Sequence, residues 1–141
     1  MAVLVPDTAL QCMLEMVLNK RRPENLLLRL YTNNKVPTRA DTTEQYIEAT
    51  FQGYSSVVLV GAQWAVVPGR PTAAASVEQK FLSTAGQPAQ SCYGYYVTQI
   101  SSGTLMWAER FSAVNAPFVM QNNGDEIVLD MLQLTLGGGM S

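Results

Sequence analysis

From Pro23 onward the chain is written in short runs of alternating or β-branched residues, each cut off by glycine, proline, asparagine or serine. That rhythm constrains the fold more than any other feature. A period of two puts successive side chains on opposite faces of a sheet, and such short runs leave no room for the crossover helices that parallel strands need. The run Leu26, Leu27, Leu28, Arg29, Leu30, Tyr31 is apolar on both faces at its start, which predicts a central strand. Further strands are predicted over residues 46–51, 57–60, 63–67, 76–82, 94–100, 104–111, 126–129 and 132–136. Ser101, Ser102 and Gly103 suit a tight hairpin between two of them, and Asn122, Asn123, Gly124 and Asp125 supply another turn. About seven to nine short strands at near-regular spacing predict an all-β fold, an antiparallel β-sandwich or jelly roll with one short N-terminal α-helix.

The helix is predicted over residues 8–18, where Leu10, Met13, Leu14, Val17 and Leu18 fall on one face. Thr8 is the expected N-cap, with Gln11 answering it three residues on, and Asn19 with Lys20, Arg21 and Arg22 suits the negative pole of the helix. A helix this short is marginal alone, so its apolar stripe is expected to pack on the domain or on a neighbouring subunit. Ahead of it, Met1, Ala2, Val3, Leu4 and Val5 form an apolar arm that no local pattern pairs. These five residues are the predicted partner-binding segment, an arm that lies on a neighbour or adds to its sheet edge. The 141 residues are expected to make one domain: arm and helix over 1–25, β-sandwich over 26–136 and a flexible glycine-rich tail over 137–141.

Composition bears on function mostly by exclusion. Histidine is absent, which removes Ser–His and Cys–His catalysis and the commonest transition-metal ligand. Cys12 and Cys92 are eighty residues apart and match no metal spacing, so free thiols are expected. The acidic groups Asp41, Glu44 and Glu48, the single Glu109, and Asp125, Glu126 and Asp130 offer glycosidase-like carboxylate pairs, but strand and turn positions explain them more simply. The run from Asn122 to Glu126 lacks the ligand array of a calcium loop. No catalytic residue, metal site or cofactor is therefore predicted. A net charge of −2 gives no basic field for nucleic acid, and no apolar run is long enough to span a bilayer. Neither partner is expected, nor is a small-molecule substrate. Charged residues make up only 14% of the chain, against about 25% in an average soluble domain. So few charges predict a surface covered in part by other chains.

Leu30 to Asn34, Tyr46, Glu48 to Phe51, Gly53, Tyr54, Trp64, Tyr93 to Tyr96, Gly103, Leu105, Trp107 to Phe111 and Asn123 to Asp125, taken in order, resemble a group of small structural proteins of tailed bacteriophages, cyanophages among them. The resemblance covers roughly residues 26–136 and rests on strand and turn residues. It implies a non-enzymatic virion protein, a capsid decoration (cement) protein made in the host cytoplasm. Such a protein sits on the assembled head as a homotrimer against the major capsid protein. A tail-associated or baseplate β module is the alternative within virion proteins. From a different class, a carbohydrate-binding sandwich would use Trp64, Tyr95 or Trp107 as stacking platforms.

Overall fold

In the computed structural model, which describes residues 3–68, 72–112, 117–129 and 133–136, β1 (Leu26–Tyr31) has a strand on either side, as its two apolar faces predict. The sheet order is β2 (Val57–Leu59), β1, β7 (Gly94–Gln99), β8 (Leu105–Arg110), all antiparallel. The expected hairpin joins β7 to β8. Gln99 and Thr104 close it, with the Gln99 N–H donating to the Thr104 carbonyl at 3.0 Å, and Gly103 sits at φ +72°, where a side chain would be strained. A register shift after Val97 marks a β-bulge.

Cross-strand partners share a face, so the register sorts the side chains. Leu28, Val97 and Trp107 stand side by side on one face, with Leu30 and Tyr95 beyond them, and all join the main core. Phe51, Leu59, Phe81, Met120, Ile127 and Leu129 complete it. On the other face Tyr31, Tyr46 and Tyr96 form a second cluster with Leu105 and Ala108; Tyr46 stacks on Tyr96 at 5.1 Å and meets Tyr31 edge-on at 5.0 Å. Among the described residues three smaller sheets accompany it: β5 (Gln79–Leu82) with β10 (Glu126–Leu129), β6 (Gln90–Cys92) with β9 (Phe118–Met120), and β4 (Thr72–Ser76) between β3 (Trp64–Val67) and β11 (Gln133–Leu136). Every ladder is antiparallel. The fold is of the all-β, sandwich-like class with one short N-terminal helix.

Several expectations need correction. Residues 46–51 do not form a strand. A 3₁₀ turn over Thr43–Gln45 leads into a segment that touches β1 through a single bridge between Tyr31 and Glu48. Tyr46 serves the second cluster while Ala49 and Phe51 serve the main core, which keeps the alternation the sequence shows. Among the described residues, however, its backbone bonds to β1 and the residue after it are confined to the pair around Glu48, Thr32 N–H to Ile47 O at 2.8 Å and Ala49 N–H to Leu30 O at 3.0 Å. Strands β4, β6 and β9 were not expected. The tail over 137–141 and Asp130 lie outside the described residues.

The helix α1 (Asp7–Val17) starts one residue early, with Pro6 at the N-cap, and Thr8 is not a cap. Its hydroxyl donates instead to the Leu105 carbonyl at 3.4 Å. The carboxyl end is a Schellman motif: Asn19 is left-handed at φ +58°, its N–H donates to Met16 O at 3.1 Å, and the Lys20 N–H donates to Glu15 O at 2.8 Å. The helix rests on the sheet through Ala9 and Cys12, which are fully buried, with Met13 and Met16 packed beside them. Small residues allow the close approach. The expected stripe of Leu10, Leu14, Val17 and Leu18 is turned away from this contact.

Candidate interaction surface

Of the predicted arm, Met1 and Ala2 lie outside the described residues. Val3, Leu4 and Val5 are half-buried on their own chain. The Leu4 N–H donates to Ala108 O at 2.9 Å and Leu4 O accepts from the Ala108 N–H at 3.0 Å, which is an antiparallel bridge on the outer side of β8. Val3 and Val5 pack against the main core. Residues 3–5 thus add to a sheet edge, but the edge is that of their own subunit, and they are not the unpaired arm that the sequence suggested.

Large apolar side chains are left in solvent elsewhere. On α1 and its C-cap, Leu14 is 59% exposed, Val17 81% and Leu18 56%. On the edge strand β3, Val66 and Val67 are both exposed although successive residues face opposite ways, so this end of the strand is bare on both faces. No charge stands in β3, β4 or β11. Edge strands of free monomers usually carry charges, prolines or bulges that deter pairing.

The chemistry-bearing groups are engaged in the fold. Asp41 is buried; its carboxylate accepts from the Thr38 N–H at 2.9 Å, the Thr38 hydroxyl at 2.7 Å and the Tyr46 hydroxyl at 2.7 Å, and pairs with Lys35 at 3.0 Å. Burial works against its charge, but these donors outweigh it and hold the carboxyl below its usual range. Glu48 accepts from Arg29 at 2.8 Å and from the Tyr54 hydroxyl at 2.6 Å, and Glu109 accepts from the Tyr95 hydroxyl at 2.9 Å. Burial first, and these carboxylates second, push the Tyr46, Tyr54 and Tyr95 hydroxyls up. The half-buried Asp125 closes its turn by accepting from the Asn122 and Gln121 N–H groups, which lower its pKa. Burial raises the Cys12 thiol and pushes Cys92 up to about 12, so neither is poised as a nucleophile. Among the described residues no group of acidic or thiol side chains is placed to hold a metal ion, and no helix is long and apolar enough to cross a membrane.

A polar cleft of about 310 Å³ lies between α1, the 42–44 loop and the β7–β8 turn. Its Glu15 is paired with Arg21 at 3.2 Å, and hydroxyls and amides make up most of the remaining polar lining. The proposed sugar platforms fare poorly. Trp107 and Tyr95 are buried, and half-buried Trp64 packs edge-on against Trp107 at 5.8 Å.

No family model and no curated protein matches this chain. The strongest functional signal in the geometry is the uncovered apolar surface. The sequence located that signal on α1 but left open whether the stripe packs on the domain or on a neighbouring subunit. Its clue was the width of the apolar arc: Ala9, Cys12 and Met16 are apolar too, so one helix carries both a core face and a second apolar face.

Proposed function

We propose that this chain is a non-enzymatic virion structural protein, a capsid decoration (cement) protein that binds an assembled phage head as a trimer and stabilises it. The observation that carries the reading is the apolar surface of α1 and β3, exposed in a chain with only 14% charged residues. Exposed apolar patches on soluble proteins mark sites of association. The phage assignment comes from the resemblance in residues 26–136. Each fully buried valine or leucine contributes roughly 1.5–3 kcal/mol. A patch of three is therefore offset by the roughly 4–15 kcal/mol that association costs in lost freedom. A single such contact is weak. Three copies held around one axis convert it into an effectively intramolecular set, with avidity higher by roughly 10² to 10⁴.

Immunoblots of virions separated into heads and tails test the reading. Presence on heads supports it; presence on tails alone moves the protein to the tail-associated alternative; absence from both overturns a virion role.

A further inference from the structure

The apolar residues of α1 cover roughly 240° of its circumference at 100° per residue, yet the sheet covers only the part centred on Ala9, Cys12 and Met16. The rest is a straight seam of Leu10, Leu14, Val17 and Leu18, spaced i, i+4, i+7 and i+8 and about 12 Å long at 1.5 Å per residue. Leu10 is half-buried at its start, and the other three are more than half exposed.

We propose that this seam is a contact between two copies of the chain, with their α1 helices antiparallel across a two-fold axis near Leu14. A two-fold contact must be self-complementary, and in this register the seam meets itself, Leu14 on Leu14 and Leu10 on Leu18 of the second copy. Charge selects the direction. Asp7 opens the helix and Lys20, Arg21 and Arg22 follow its end, so antiparallel helices set each copy's Asp7 against the other's basic cluster. Parallel helices would set the two basic clusters side by side. Asp7 is available for this. Arg39 donates to its Oδ1 at 2.9 and 3.2 Å, while Oδ2 has no partner among the described residues. Lys20 and Arg22 are exposed and make no ion pair among the described residues. Antiparallel packing also aligns the helix dipoles favourably.

Four side chains a copy fall short of the roughly 800 Å² per partner that a stable interface buries, so the contact acts by linking assemblies held by other surfaces. On a shell of trimers it joins neighbouring trimers. The inference goes beyond the decoration reading, because it concerns how copies of the chain meet one another, whatever particle the protein occupies.

The test uses the whole chain with Leu14→Cys. The native thiols are buried, so the new one reacts alone. Under mild oxidation or with a short bismaleimide, L14C should run at twice the 15.4 kDa chain mass without reductant, whereas Gln52→Cys on another exposed site should not. In light scattering, the double variant Leu14→Asp, Val17→Asp should reach a lower limiting mass than the natural chain with an unchanged circular dichroism spectrum. Cross-linking of L14C no faster than of Q52C, or an undiminished mass in the double variant, would overturn the helix pair. A double variant that keeps its solution mass but is lost from heads would assign the seam to the capsid protein and also overturn it. Efficient L14C cross-linking in a protein that never binds heads would leave the pair standing and remove the decoration reading instead.

Discussion

Replacing Asp41 by Asn changes one oxygen to an amide and leaves the shape intact, so its cost reports the buried charge. Oδ2 accepts from both the Thr38 N–H and the Tyr46 hydroxyl, while Oδ1 accepts from the Thr38 hydroxyl and pairs with Lys35. With the new amide at the Oδ2 position, the Tyr46 hydroxyl can turn round and accept, but the Thr38 N–H is orphaned. Flipping the amide puts it against the Lys35 ammonium. Leaving a buried donor unpaired costs about 1–3 kcal/mol, and losing a hydrogen bond to a charged group about 1.5–3 kcal/mol. Lys35 keeps 19% side-chain exposure and can turn partly to water, which favours the lower part of the range. Asp41→Asn should therefore destabilise by about 3 kcal/mol, measured by urea unfolding at pH 7. The acid limb gives a second readout. A carboxyl whose folded pKa is depressed contributes stability that is present above its unfolded pKa of about 3.9 and is lost as pH falls through the folded value. The natural chain should lose that contribution below about pH 4, and D41N should lack this part of the slope. A loss under 1 kcal/mol at pH 7 with an unchanged acid limb would refute the argument.

Gly94→Ala should destabilise by about 2–4 kcal/mol, because its Cβ would meet the Glu109 carbonyl and lie 2.5 Å from the Tyr31 hydroxyl. Gly61→Ala, with open space around it, is the neutral control in the same thermal melts. Thr8→Ala should cost about 0.5–1 kcal/mol in urea unfolding through its long bond to the Leu105 carbonyl, and Thr8→Asp, which a true N-cap position accepts, should lose at least as much; a Thr8→Asp variant as stable as the natural chain would restore the cap. Cys12 and Cys92 should react with a thiol reagent only on unfolding, and an intact mass two daltons low before reduction would contradict their free state.

The parts of the fold that the sequence revealed are those whose pairing is local. The β7–β8 hairpin and the Asn122–Asp125 turn are set by adjacent residues, and β1 reveals its central place by being apolar on both faces. The strands it hid are held by distant partners. β4 is largely alanine, with little strand preference of its own, and exists because β3 and β11 flank it. Gln90 and Ser91 of β6 give no apolar alternation, yet pair with Met120 and Val119. Residues 46–51 show the reverse failure: Tyr46 and Phe51 do fall on opposite faces as the alternation has it, but the segment meets β1 at one bridge, so the pattern is present without a ladder to match it. For the interaction surface, periodicity found the apolar seam of α1 but not its direction. Pattern alone does not reveal that Ala9 and Cys12, being small, allow the closer approach to the sheet and so turn the leucines outward. The arm is a similar case, because the bridge from Leu4 to Ala108 depends on β8 presenting an edge just there.

The proposed association of this protein with a phage head through neutral apolar surface is tested most directly by its retention on purified heads. Heads incubated with the natural chain and sedimented away from free protein should carry it in multiples of three per three-fold site and should resist heating or low salt better than bare heads. Sedimentation of the heads without it, with the protein a 15.4 kDa monomer at micromolar concentration, would contradict the central claim.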